Sequence, residues 1–223
     1  MAQKEKRTIW LVRHGERVDN VDKKWKEKNP NKWDDPELTL RGKQQSHEIG
    51  RSFHNINIEA IVCSPFIRCV ETAVEIVAMM ENKPKICIEP GFMEPLHACM
   101  DPPSIPSMET IKGFSTRIDE EYKPVFDKIP AEVGDLGCGE RVVKTLKEVC
   151  AKFPNGNILI VSHGTPIANI HVYIKGPWKY VGQATISKLT DNFGTFVLDY
   201  YNKKSHLSQP SDLHEDEKMF PKA

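Results

Sequence analysis

No apolar run in this chain is long enough to cross a bilayer; the longest are only about four to six residues. The opening stretch, MAQKEKRTIW, carries charge but is not followed by an apolar segment of signal-peptide length. An excess of one charge is missing too. Lys plus Arg and Asp plus Glu both number 31, which removes the electrostatic case for nucleic acid or an acidic membrane as partner. There is no Cys-x-x-Cys pair, and the six cysteines (63, 69, 87, 99, 138 and 150) show no zinc-type spacing. Several lie in apolar runs such as AIVCSP and KICIEP, where a thiol behaves as a small hydrophobe. Internal repeats, heptads, low-complexity tracts and cofactor fingerprints are also lacking. These absences point to a cytoplasmic, reduced protein that needs no metal or cofactor.

What is present is an ordinary globular composition: 223 residues, 39% apolar and 28% charged. That suffices for one large domain with a continuous core, expected over 1–203. The tail at 204–223 is polar and is expected to be poorly ordered. Short apolar runs at Thr8–Val12, EAIVCSP, PKICIEP and NILIVSHG read as buried strands of a parallel sheet. Between them, the helical spacing of Ile67, Val70, Val74, Val77 and Met80 is clear, as is that of Val142, Leu146, Val149 and Phe153. A looser helical pattern runs through Gln44, Ile49 and Phe53. Ile111, Phe114, Ile118, Tyr122, Val125 and Phe126 predict another helix, followed by a Gly-rich loop. TPIANIHVYI opens a further helix, with Pro166 in its first turn. QATISKLT and GTFVLDYYN predict a hairpin turning at Asp191–Gly194. Residues 19–37 read as a long polar loop, and 95–110 as a proline-rich excursion above the sheet. Strands alternating with helices predict a layered α/β/α domain with a mainly parallel central sheet.

In such a fold a ligand sits beyond the carboxyl ends of the strands. Those ends carry Arg13 and His14, then Ser64 and Arg68, then Glu94, then His163. Arg68 opens a helix, where a cation opposes the helix dipole. A bound dianion between Arg13 and Arg68 makes that placement understandable, and the free amides of the helix start would favour the same anion. Arg13, Arg17 and Arg68 offer planar forks of donors for phosphoryl oxygens. One histidine, as neutral imidazole, could attack phosphorus; the other, as a cation, could hold a non-bridging oxygen. Glu94 is the candidate acid–base group, with Glu89 and Glu109 as neighbours able to compete for that role. Arg17 has a plain alternative, pairing with Glu16 or an acidic residue of the following loop. His97 and the remaining histidines have no convincing companions and read as surface or structural residues. Trp25 and Trp33 either line a cleft or cover the loop's own apolar side.

Taken in order, LVRHGER, SPFIRCVETA, the Glu94 segment and VSHG resemble the histidine phosphatase, or phosphoglycerate mutase-like, superfamily. VRHGERVD in particular resembles the phosphatase domain of the ubiquitin-associated and SH3-containing suppressors of T-cell receptor signalling. The resemblance implies His14 as phosphorylated nucleophile, with Arg13, Arg68 and His163 in the phosphate pocket and Glu94 as acid–base carboxylate. It also implies a substrate-binding role for Asn20 and a helix start behind the pocket at Gly42, in DPELTLRGKQQ. The expected function is phosphomonoester hydrolysis through phosphohistidine, on aryl or apolar phosphates including phosphotyrosine. The partner is then a phosphorylated small molecule or phosphopeptide, and a homodimer stays open. Two other readings are a phosphoglycerate-type mutase and a non-catalytic phospholigand-binding scaffold.

Overall fold

The computed structural model describes residues 6–176 and 178–210. Six strands form one sheet in the order β3-β2-β4-β1-β5-β6. They are β1 (Arg7–Arg13), β2 (Ala60–Cys63), β3 (Lys85–Ile88), β4 (Ile158–Ser162), β5 (Ile186–Asn192) and β6 (Thr195–Lys203). The first four pair in parallel, whereas β5 joins β1, and β6 joins β5, antiparallel. The sheet is thus the expected parallel one, extended on one side by the expected hairpin. Its turn has positive φ at Phe193 (56°) and Gly194 (94°), the left-handed conformation that a tight hairpin turn requires.

β1 alternates its side chains between two cores. Trp10 and Val12 pack with Ile49 of helix α3 (Leu40–Ser52), with Phe53 at its C-terminal cap, and with Val70 and Ile76 of α4 (Ile67–Met79). Ile9 and Leu11 face Val142 and Leu146 of α6 (Gly134–Lys152) and Ile167 of α7 (Gly164–Lys175). Helices therefore cover both faces, and both sides of β2 and β4 are buried, which explains their unbroken apolar sequences. The loop after β1 contains two single-turn helices, α1 (Val18–Val21) and α2 (Trp25–Lys28).

Three expectations need correction. The apolar spacing from Ile111 to Phe126 does not form a helix: α5 spans only Met108–Lys112. Beyond it the chain becomes a strap along the edge strand. Ile86 N–H donates to Arg117 O at 2.9 Å, and Asp119 N–H donates to Ile86 O at 2.8 Å. Unpaired edge groups of β3 thus capture the segment, and Ile118 is buried in the core without helical geometry. The Gly-rich stretch before Glu140 is not a loop but the first turns of α6. Lastly, residues 204–210 do not hang free. Ser208 N–H donates to Glu48 Oε2 at 3.0 Å, and Gln45 Nε2 donates to Gln209 O at 3.1 Å, so this segment folds back onto α3. The rest of the predicted tail, with His214, lies outside the described residues.

Candidate active site

Pairing of Arg13 with Ser162, and of Cys63 with Val161, brings the ends of β1, β2 and β4 level. Arg13–His14, Ser64 and His163 consequently emerge side by side. The turn carrying His14 is set by a backbone-to-backbone contact. A Cβ on Gly15 would lie 2.5 Å from Gly42 O, and one on Gly42 only 2.2 Å from Glu16 O. Neither position has room for a side chain. Gly42 does lie behind the turn, in the first turn of α3, where Gly42 N–H donates to the Thr39 cap at 3.0 Å. Glu16, buried beneath, pairs with Arg41 at 2.7 Å. Thr72 Oγ1 accepts the Gly15 amide at 3.2 Å while donating to Arg68 O at 2.7 Å.

His14 is buried, and its Nδ1 lies 2.8 Å from Gly15 O. A carbonyl can only accept, so Nδ1 carries the proton and Nε2 keeps its lone pair. Burial first, then the charges of Arg68, Arg13 and Arg17, push its pKa well below the usual imidazole value. The His163 ring stands 5.4 Å away, centroid to centroid. Its Nε2 is 2.7 Å from Ser64 Oγ, and its Nδ1 is 3.7 Å from Glu94 Oε1. Burial, then Arg68 and His14, also hold His163 well below its ordinary value. Burial and these charges disfavour, in the free protein, the cation expected from the sequence.

Arg68 is almost fully buried at the second residue of α4, stacked 4.4 Å from the Phe66 ring. Its Nη1 donates to Asp34 O at 2.8 Å and lies 3.4 Å from Asp35 Oδ1. Asp35 also caps α4 by accepting the Ile67 amide at 2.8 Å. Burial pushes the Asp35 carboxyl up to about 7, despite the opposing charge of Arg68. Arg13 donates through Nη1 to Tyr180 Oη at 2.9 Å and Val181 O at 2.6 Å. Among the described residues, the buried Nε atoms of Arg13 and Arg68 find no hydrogen-bond partner. Buried guanidinium donors without acceptors are costly in a folded protein, and two of them flank His14.

Other expected residues sit differently. Arg17 reaches Asp19 through two bonds, 2.8 and 2.6 Å; its partner is the loop acid, since Glu16 is occupied by Arg41. Asn20 Oδ1 accepts the Arg17 amide at 3.1 Å and Gln183 Nε2 at 2.7 Å, so it braces the α1 start. Glu89 is wholly buried, its carboxylate accepting from Gly91 N–H (2.9 Å), Tyr122 Oη (2.8 Å) and Val125 N–H (2.7 Å). Glu109 stands exposed in the first turn of α5. Of the three carboxylates, Glu94 is the one beside a site histidine. His97 lies on the surface, 3.6 Å from Asp135. Trp25 is buried, with Nε1 donating to Trp33 O at 3.1 Å; it covers its own loop. Sequence reasoning missed Asp34, Asp35, Tyr180 and Gln183. Asp35 opens the segment DPELTLRGKQQ without standing out in it, the other three belong to no motif, and all four make their contacts with residues far away in the chain.

Beside the Glu94 segment opens a cleft of about 800 Å³, walled by Pro65, Met93, Leu96, Met100, Ile105 and Met108. No helix among the described residues is long and apolar enough to cross a membrane.

The human ubiquitin-associated and SH3 domain-containing protein A is 30% identical over 199 residues, covering 73% of this chain and 30% of that protein. The ecdysteroid-phosphate phosphatase of Drosophila melanogaster is 25% identical, over 72% of this chain and 26% of its own length. The chain thus spans under a third of each. A Bacillus subtilis phosphatase, PhoE, is 28% identical over 90% of this chain and 96% of that protein. Among solved structures, the ecdysone phosphate phosphatase of Bombix mori, in complex with tungstate, superposes with a TM-score of 0.70. It is 20% identical, over 92% of this chain and 96% of that one, and shares the fold. The family profile matches residues 9–212, and the chain belongs to the histidine phosphatase superfamily, branch 1.

Proposed function

We propose that this domain hydrolyses phosphomonoesters through a phosphohistidine on His14, with a preference for aryl or apolar alcohol phosphates. The observation that carries the reading is the His14 ring itself. Gly15 O fixes its proton on Nδ1, leaving Nε2 as a bare nucleophile beside two guanidiniums with unpartnered Nε donors.

A phosphoryl dianion held by Arg13 and Arg68 brings phosphorus to Nε2. As the N–P bond forms, the bond to the leaving oxygen breaks and Glu94 gives that oxygen its proton. The resulting Glu94 carboxylate then takes a proton from water, whose oxygen attacks phosphorus while imidazole departs. One carboxyl group thereby serves both half-reactions and ends as it began. With Ser64 donating its hydroxyl proton to His163 Nε2, the His163 proton sits on Nδ1, free for a non-bridging oxygen. Dianion binding would favour the protonated ring as well, restoring the cationic role. Charge stabilisation by fixed donors in a dry site supplies the major part of such catalysis. Arg17 turns from Asp19 toward the phosphoryl group only when substrate competes for it.

Apolar walls in the neighbouring cleft support an apolar alcohol side, as do the ecdysteroid-phosphate and ecdysone phosphate esters named for two relatives. A mutase would need cations there for a second phosphoryl group, and among the described residues Lys128 is the single Lys or Arg lining the cleft. The domain is proposed to act in the cytoplasm on a phosphorylated small molecule or phosphopeptide.

The test is a phosphate-release screen across phosphotyrosyl and phosphoseryl peptides, sugar phosphates, nucleotides and apolar alcohol phosphates, with His14→Ala subtracted. Aryl or apolar esters should lead, and an alkaline denaturing quench should trap label on His14. Label reproducibly on another residue would overturn the mechanism. Binding without turnover would return the scaffold reading, and primer-dependent isomerisation of phosphoglycerate would return the mutase.

A further inference from the structure

Glu94 lies in no helix or strand. It sits between two three-residue 3-10 turns, Pro90–Phe92 and Leu96–Ala98, where nothing in the local sequence fixes the backbone that carries its carboxyl group. What fixes it comes from far along the chain. Arg141, buried on α6, donates through Nη1 to Gly91 O (2.9 Å) and Met93 O (3.1 Å) and through Nη2 to Glu94 O (3.2 Å). Its Nε and Nη2 meet the two oxygens of Glu132 at 2.8 and 3.1 Å. Glu132 Oε1 in turn accepts the Leu96 amide at 2.8 Å. The carbonyls of residues 91, 93 and 94 and the amide of 96 are thereby gripped by one ion pair, on both sides of the Glu94 side chain.

That pair is nearly inaccessible: the two side chains are 1% and 3% exposed. An ion pair so deeply buried is a weak device for stability, since desolvation consumes much of the attraction. Apolar packing could hold α6 against this loop at least as well. It could not hold three carbonyls in register, which a planar fork with five donors can. The hydrogen bonds of this side chain go to the acid–base segment, to Glu132 and to Cys138 Sγ on its own helix, and none of these partners is shared with Arg13 or Arg68.

We infer that Arg141, fixed by Glu132, is a positioning residue that sets the reach of Glu94 to the leaving oxygen. The inference rests on the proposed acid–base role of Glu94. It predicts a dependence on leaving group that a merely structural residue would not show. p-Nitrophenolate departs without a proton, whereas the alkoxide of benzyl phosphate needs one. Loss of a working general acid therefore falls on the second ester.

The experiment compares kcat/KM on the two esters for wild type, Glu94→Gln, Arg141→Lys and Glu132→Gln, with the affinity for inorganic phosphate measured alongside. Glu94→Gln should lose ~10²-fold or more on benzyl phosphate and far less on p-nitrophenyl phosphate. Arg141→Lys, which keeps the charge but not the fork, should show the same split at about tenfold or more, because displacing a catalytic group by about an ångström is that expensive. Phosphate affinity should change by less than about twofold, because Arg141 shares no hydrogen-bond partner with the arginines that hold the phosphoryl group. If Arg141→Lys does not fold, as a thermal melt would show, Glu132→Gln decides by the same split. A split in Glu94→Gln with equal losses on both esters in the folded Arg141 or Glu132 variant overturns the inference and leaves the Glu94 role standing. No split in Glu94→Gln overturns both.

Discussion

Arg68 and Asp34 are joined side chain to backbone: Arg68 Nη1 donates to Asp34 O at 2.8 Å. Asp34 Oδ2 in turn accepts the amides of Met100 (2.9 Å) and Ser104 (3.2 Å). The residue that orients the arginine thus also holds down the rim of the apolar cleft. Asp34→Ala should leave two amides without their acceptor and destabilise the fold by about 1–3 kcal/mol. It should also raise KM for aryl esters more than it weakens inorganic phosphate. Urea melts and inhibition by phosphate check both halves; an unchanged KM with lost stability would separate rim from pocket.

Arg68→Lys should lose roughly 10²-fold or more in kcat/KM, because a point-like ammonium lacks the planar fork that reaches the Asp34 carbonyl on one side and phosphoryl oxygens on the other. Near-native kcat/KM on any good substrate would place Arg68 outside the reaction.

Asp35 makes a testable contribution to stability against pH. Burial lifts its folded pKa to about 7, above the ~3.9 of an unfolded chain. The folded state therefore keeps a proton that the unfolded state releases, and stability falls as pH rises from about 4 to 7. His14 and His163 act oppositely: their lowered pKa values make stability grow as pH approaches the ordinary ~6.5 of histidine. The difference between Asp35→Asn and wild type isolates the carboxyl. It should move in favour of the variant from pH 4 to 7, by about 1.4 kcal/mol per unit of pKa displacement, and level off above. Urea melts at several pH values would show it; a flat difference would mean Asp35 titrates normally.

The same physics shapes catalysis. Because burial and three arginines keep His14 unprotonated, its nucleophilic form persists well below the pH at which an exposed imidazole is lost. With the substrate's own dianion fraction divided out, kcat/KM should show no acid limb near the ordinary histidine value of about 6.5 from the enzyme. A corrected limb at that pH or above that persists in Asp35→Asn would contradict the buried, neutral His14.

How much of this is legible in the sequence depends on what kind of contact holds each residue. Strands β1, β2 and β4 announce themselves because both their faces are buried, and each leads into a polar residue of the site. His14, Arg68 and His163 can be placed because they follow those strands closely. The false helix through Ile111 and Phe126 has a physical cause: its apolar residues are buried as a helix face would be, but by a strap that gives Ile111, Phe114 and Ile118 to one core and Tyr122 and Val125 to the other. Glu94 stands out by position, yet what surrounds it cannot be read. Arg141, like Gln183 and Tyr180, acts on groups far away in the chain, through long-range bonds that leave no pattern. Arg17 shows the reverse case: its partner here, Asp19, is its neighbour in the same turn, which is the loop-acid pairing the sequence leaves open beside phosphate contact.

The antiparallel hairpin β5–β6 contributes none of the proposed chemical groups, yet it governs one of them at a distance. Asn202, on β6, donates through Nδ2 to Tyr180 O at 2.7 Å and accepts the Gly182 amide at 2.8 Å and the Thr185 hydroxyl at 2.8 Å. Tyr180 and Val181, held in that grip, are the acceptors of Arg13 Nη1. Solvent exchange at the Gly182 amide is therefore a remote gauge of the guanidinium's setting: loosening of the outer strand, two strands away, should register there before it reaches the acceptors of Arg13.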